Sequence, residues 1–426
     1  MPTATLAQEL TVTGSMRVRV EGIDNTARSG VVDSSAMLVR TDIGLEWKRD
    51  WLTVGAELED ARANFERTHS GIAATEVNTL EPVQAYLKLG GPSAALTMGR
   101  FTLDLSSRRL VSRQNFRNAT NAFSGARLDL SPSKDLRATL FWTEPLIREP
   151  TDANSIGAND FALDRSTGGL QFFGGWGGYS GFPAGIQSDL YAYRFVEHDT
   201  PWLTTRDRRL WTVGARLYRV PRANRIDGEF EGNWQTGFTH LTAAPTDNID
   251  RPVRAFFVRA ALGYSFSTNW SPRLGLAVDW ASGADGSTTY RRYDTLFGAR
   301  SFELGPQSLY AVFNRANIRS IVGSAEVHPS PATNLAASVR FIWADNVADY
   351  IGNTGRRALA MQTHPFIGKQ FEATGRHWLV TERWQVEVGG DILFRSAPLA
   401  GEVSGTLHPT LYAFMAQTIY LRAAHR

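Results

Sequence analysis

Strand-length stretches in which apolar and polar residues alternate run the length of this chain, joined by connections that are short and long by turns. In residues 10–21, Leu10, Val12, Met16, Val18 and Val20 fall on one face and Thr11, Thr13, Ser15, Arg17, Arg19 and Glu21 on the other. A period of two is that of a β-strand. The same reading holds for Leu52, Val54, Ala56 and Leu58 against Thr53, Glu57 and Glu59. It holds again for Ile226, Phe230 and Trp234 against Asp227, Glu229, Glu231, Asn233 and Gln235. Each strand therefore has one apolar and one wet face.

The connections choose the architecture. Turn-forming residues mark short links at 48–50, 90–92, 131–134, 182–185, 221–224, 267–269, 329–333 and 375–381. Between them lie loops of roughly a dozen to thirty residues, longer than is usual in compact soluble domains. Eight short turns and nine long loops require about eighteen strands, with both chain ends on the short-turn side. The fold class predicted is all-β: a transmembrane antiparallel up-and-down β-barrel, one domain over residues 1–426, in the outer membrane of a Gram-negative bacterium. A soluble sandwich would need Greek-key crossings, and nothing in the order of connections suggests them.

No apolar run reaches the roughly 20 residues of a membrane-spanning helix. A closed barrel satisfies its backbone between strands and needs none. The absence of cysteine fits passage through an oxidising periplasm. Thr5-Leu6-Ala7 before Gln8 reads either as the end of a signal peptide, with residues 1–8 a remnant of that region behind an added Met1, or as an ordinary polar N-terminus. Trp47, Trp51, Trp270, Trp378 and Trp384 bracket short turns, where a girdle at the headgroup level would sit. The glycine-rich residues 168–181 lead into no helix that could bind phosphate, so they read as a bent or closely approached strand. The longest loop, residues 283–316, is dense in aromatic residues and is expected to be ordered, folded over or into the mouth of the barrel.

With the apolar face turned to lipid, the other face lines the lumen. It carries Arg17, Arg19, Arg40, Lys88, Arg127, Arg137, Arg216, Arg259, Arg273, Arg340 and Arg395. It also carries Asp42, Glu46, Glu57, Glu59, Asp129, Asp227, Glu229, Glu231, Asp279, Glu372, Glu387 and Asp391. Eighteen strands would leave a water-filled bore. In it, the arginine forks either bind carboxylate or phosphate at several weak sites in series, or pair with the inward acids and hold the wall in shape. No His-Glu-x-x-His or Gly-x-Ser-x-Gly is present, and no cysteine. No catalytic residue, cofactor or metal site is therefore expected. Asp247, Asn248 and Asp250 lack the spacing of a calcium loop and read as solvated. No nucleic-acid partner is expected.

Two sets of motifs go further. Gly99-Arg100-Phe101, Arg108-Arg109-Leu110-Val111, Asn115-Phe116-Arg117-Asn118 and Phe123-Ser124-Gly125-Ala126-Arg127-Leu128 form the first. Tyr293-Asp294-Thr295-Leu296-Phe297-Gly298, Phe302-Glu303-Leu304-Gly305-Pro306 and Asn314-Arg315-Ala316-Asn317-Ile318 form the second. Together they resemble the alginate export family of outer-membrane porins. The resemblance implies a monomeric barrel with an electropositive pore through which an anionic polysaccharide leaves the cell by passive diffusion. It adds Arg100, Arg109 and Arg117 to the pore-lining candidates and supports Arg127. The partners implied are an acidic polysaccharide or its oligomers, outer-membrane lipid and periplasmic secretion proteins. An uptake porin for small anionic nutrients or oligosaccharides is the first alternative; a rim-active enzyme and a structural or adhesive barrel are the others. If the inward arginines select anions, Arg127→Glu or Arg340→Glu should lower anion selectivity.

Overall fold

Eighteen antiparallel strands form one sheet that closes on itself, because the first strand pairs with both the second and the last. The structure, a computed structural model, describes residues 8–65, 69–300, 303–357, 365–396, 399 and 408–425. Of the leader remnant expected at residues 1–8, residues 1–7 lie outside them, as does Phe302 of the second motif set, while Gln8 begins the first strand. The strands are β1 Gln8–Asp24, β2 Ser34–Arg49, β3 Leu52–Phe65, β4 Asn78–Gly90, β5 Ala94–Phe101 and β6 Phe123–Leu130. Then come β7 Leu136–Pro145, β8 Leu170–Tyr179, β9 Ile186–Glu197, β10 Arg209–Arg219, β11 Arg225–Thr239 and β12 Arg251–Ser265. The last six are β13 Arg273–Ala281, β14 Ile318–Ser330, β15 Thr333–Trp343, β16 Phe366–Val380, β17 Trp384–Arg395 and β18 Thr410–His425. Short turns and long loops alternate around the whole barrel, as the sequence predicts.

The register shows how lipid and water sort the side chains. Val20 lies opposite Met37 on one side and Met415 on the other, and the three are 53%, 41% and 48% exposed on the outer wall. One residue earlier Arg19 points inward and is buried, opposite Leu38 and Ala416, which are buried too. A one-residue slip would exchange these sets and place guanidinium in hydrocarbon. At the short-turn rim Trp51 and Trp270 stand out at 64% and 61% exposure, where amphipathic rings favour the headgroup layer.

The glycine-rich stretch is strand β8, as expected. Gly174 has φ +151°, and a Cβ there would run into the Ala192 carbonyl of the neighbouring strand, so only glycine allows this approach. The last short turn needs correction. Residues 375–380, read as part of it, belong to β16, and the turn occupies residues 381–383. Gly375 lies opposite Leu335 on one side and Val388 on the other, so ladder partners on both flanks override its weak strand preference.

Long loops belong to the outer face of such barrels. A single cysteine placed at Asp285 should therefore react with an impermeant thiol reagent on intact cells, and one at Asp50 should not. The reverse pattern would invert the orientation.

Candidate functional site in the bore

The two motif sets of the sequence form two loops that turn inward. Residues 102–122 join β5 to β6 and residues 282–317 join β13 to β14. Inside the barrel they pair with one another like short parallel strands: Phe297 N–H donates to Leu110 O at 2.9 Å, Ser112 N–H to Phe297 O at 3.1 Å and Ala299 N–H to Arg108 O at 2.9 Å. Gly298 lies so close to the Arg109 carbonyl that a Cβ there would collide with it. Buried Leu105, Leu110, Val111, Leu304, Leu309 and Phe313 make a core of these loops.

That core rests on an aromatic patch of the inner wall. The Phe297 ring lies 4.9 Å from Phe172, 5.3 Å from Phe123 and 5.5 Å from Phe195. Phe141, Phe172, Tyr191, Tyr193 and Phe195 point inward and are buried. The lumen is thus not charged throughout, nor simply filled with water. Where wall and loops meet, apolar side chains face each other, and the bore is narrowed by ordered chain.

Most of the candidate arginines hold this assembly together. Arg109 reaches three carboxylates: its Nε lies 2.6 Å from Glu303, its Nη1 2.7 Å from Glu229, and it also pairs with Glu231. Burial opposes its charge, but Glu303, Glu229 and Glu231 more than offset that and hold its pKa well above the ordinary arginine value. Arg340 and Arg259 both bond Asp279 at 2.6 Å, and Arg340 also holds the Glu303 carbonyl. Arg216 pairs with Glu229 and Asp189, Arg100 with Glu81, Arg127 with Asp129 at 2.8 Å and Arg273 with Asp227. Arg17 donates to the Asn115 and Arg117 carbonyls at 2.6 and 2.8 Å, Arg19 to the Phe116 carbonyl and Arg40 to the Arg117 carbonyl at 3.3 Å. These three strand arginines hook the tip of the inward loop. Arg395 bonds the His408 carbonyl at 3.0 Å near the outer rim. Lys88 and Arg137 line the opposite, short-turn end and make no ion pair among the described residues.

A second set behaves differently. Arg28, Arg117, Arg148 and Arg300 lie on long loops, Arg117 and Arg300 on the two inward ones, partly exposed, and none is ion-paired among the described residues. Arg148 donates only to the Thr120 carbonyl, at 3.1 Å, and to Asn121. Nε and Nη1 of Arg28 are buried without a hydrogen-bond partner among the described residues. Burial pushes all four pKa values down. Repulsion adds to it for Arg117, which sits beside Arg148 and Arg300 and falls to about 9. Arg300, beside Arg315 and Arg28, falls to about 10. At neutral pH Arg117 and Arg300 stay cationic, and Glu76 is the one carboxylate whose field acts on all four groups. Arg117 was a candidate from sequence. Arg28, Arg148 and Arg300 were not, because loop residues have no periodicity to assign them a face.

Below the loops, toward the short turns, opens a vestibule of about 930 Å³ whose lining includes Arg17, Arg40, Arg113, Glu57, Glu372 and Glu387. It carries both signs of charge, as the sequence predicts. On the outer side, Asp207, His240 and Asp250 converge to within 4.8 Å. The Arg209 guanidinium already bridges the two carboxylates, 3.5 Å from Asp207, and stands where a cation would.

Solved structures share the architecture at low identity. OccAB1 of Acinetobacter baumannii superposes with a TM-score of 0.65 at 13% identity, covering 97% of this chain and 96% of that one. OccK5 (OpdH) of Pseudomonas aeruginosa gives 0.59 at 12%, over 97% and 98%. OccK2 (OpdF) of the same organism, solved in complex with glucuronate, gives 0.58 at 12%, over 97% and 98%. No curated protein sequence matches this chain. The alginate export family model matches residues 8–399, a span that takes in both inward loops and seventeen of the strands, and the chain belongs to that family of outer-membrane β-barrel pores.

Proposed function

We propose that the protein conducts uronate-bearing acidic polysaccharide or its oligomers across the outer membrane by passive diffusion, with Arg28, Arg117, Arg148 and Arg300 as the groups that draw the anion to the bore. The observation that carries this reading is that none of these four guanidinium groups makes an ion pair among the described residues, while Arg109, Arg315 and Arg340 of the same assembly do. A guanidinium without a carboxylate keeps its planar fork for a ligand carboxylate, and several such forks close together bind weakly enough at each to let a polymer move on. Lys88 and Arg137 extend the same attraction to the far end of the bore. The paired arginines of the wall and loops serve as scaffold in this reading.

One observation favours a shorter cargo: OccK2, which shares the fold, was solved with the single uronate glucuronate. Uptake of uronate monomers or short oligomers is accordingly the second reading. Planar-bilayer conductance separates the two. The expected result is an anion-selective channel that oligouronates block with a strength rising with chain length, while neutral oligosaccharides of equal length do not. Block by monomers alone would favour uptake, and cation selectivity with no uronate block would overturn both.

A further inference from the structure

Near the long-loop rim, the outer wall of β11 to β14 carries a groove of about 340 Å³ that the bore does not use. Its floor is aromatic. Trp234 and Phe256 stack with ring centroids 6.4 Å apart and planes 4° from parallel, and Trp280 meets Phe256 edge-on at 5.0 Å. Trp234 and Trp280 are 49% and 43% exposed on the lipid side. Three guanidinium groups edge this floor. Arg319 lies 4.7 Å over the Trp280 ring and is held by Asp345 at 2.8 Å, which also accepts the Trp280 indole N–H at 2.7 Å. Arg291 lies 3.0 Å from Asp285. Arg254, exposed on β12, makes no ion pair among the described residues. With three cations against two carboxylates the groove is net positive. Arg194 over Trp211 at 5.5 Å and Arg209 over Phe238 at 5.6 Å continue the arginine-on-aromatic pattern along the same rim.

An arginine on the lipid face is costly at the bilayer midplane and nearly free near the interface, so such residues mark the level of the headgroups. At the outer rim that level belongs to the outer leaflet. Aromatic rings beside guanidinium groups suit a ligand with acyl chains below and phosphate above. We propose that this groove binds a phosphorylated glycolipid of the outer leaflet, of the lipid A class, with its phosphate between Arg254, Arg291 and Arg319 and its acyl chains along Trp234 and Phe256. The paired Asp285 and Asp345 orient two of the forks, and Arg254 supplies the uncompensated charge.

The test is native mass spectrometry of the full detergent-solubilised chain with bis-phosphorylated hexa-acyl lipid A, its monophosphoryl form and phosphatidylglycerol. Wild type should retain one lipid A after the detergent is stripped, the monophosphoryl form less, and phosphatidylglycerol least. R254A combined with R291A, both solvent-exposed and outside the bore, should lose lipid A retention by about tenfold while single-channel conductance stays at the wild-type value. Equal retention by the variant, or phosphatidylglycerol retained as well as lipid A, would overturn the site.

Discussion

Arg109→Ala should destabilise the barrel by about 3–5 kcal/mol, the range for removing one partner of a buried ion-pair network, and should raise single-channel conductance at the same time. The guanidinium ties Glu229 and Glu231 of the wall to Glu303 of the longer inward loop, and its loss leaves three carboxylates facing one another with Arg315 and Arg259 as the cations nearest Glu303. The loop also loses an anchor, so it can swing away from the bore. Arg109→Lys keeps the charge but not the planar fork that reaches several acids at once, so it should recover part of the stability. The temperature at which the folded band disappears on an unheated-to-heated gel series gives the first readout and planar-bilayer recording the second. If the alanine variant matched wild type in both, the three acids would be neutralised by protonation and Arg109 would not hold the loop. A pH dependence follows as well. Arg109, Arg259 and Arg315 outweigh burial and hold the Glu303 pKa well below the ordinary glutamate value. The stability it contributes is therefore fully present above about pH 4.3, and it is lost only as pH falls below that through the depressed folded value.

Arg28→Glu with Arg117→Glu should weaken oligouronate block by about tenfold or more at low salt and lower the anion preference of the channel. Each change replaces a cation by a like charge for the ligand. Coulomb energy across about 4 Å at an effective dielectric near 20 is roughly 4 kcal/mol per pair, where a tenfold change needs only about 1.4 kcal/mol. Water in the bore takes up much of the difference, which is why the expected change is set well below the Coulomb figure. In about 1 M salt the Debye length shrinks to about 3 Å and the effect should largely vanish. Because neither residue holds an ion pair among the described residues, the folded band should survive. Wild-type block and selectivity in the double variant at low salt would remove these arginines from the conduction path. Arg340, a candidate for the same experiment on sequence grounds, is a poor probe: buried against Asp279 and the Glu303 carbonyl, it would report collapse of the loop anchor. Arg127, paired with Asp129 yet a quarter exposed, lies between the two cases.

What the sequence determined by itself is everything that depends on a repeating local rule. A period of two assigns each residue of β1 or β11 to one face of a strand, and the order of short and long links closes the sheet at eighteen strands with both ends together. Lipid enforces this, since an inward-outward error costs energy at every position, and Val20, Ile226 and Phe230 stand on the outer wall as the alternation requires. Loops obey no such rule. The family motifs singled out both inward segments, but their local sequence could not say that Phe297 would seat among Phe123, Phe172 and Phe195, because those rings come from separate strands that meet only after closure. For the same reason the inward Phe172 and Tyr193 could not be told from lipid-facing aromatics until the loop that covers them was in place. Charge followed the same division. The sequence placed Arg109 and Arg117 in one motif set as equal candidates, and only the tertiary structure made one a clasp and left the other without an ion pair among the described residues. The fate of an arginine is decided by which carboxylates lie within a few ångströms of its fork, and for Arg109 these come from positions about 120 and 194 residues away in the chain.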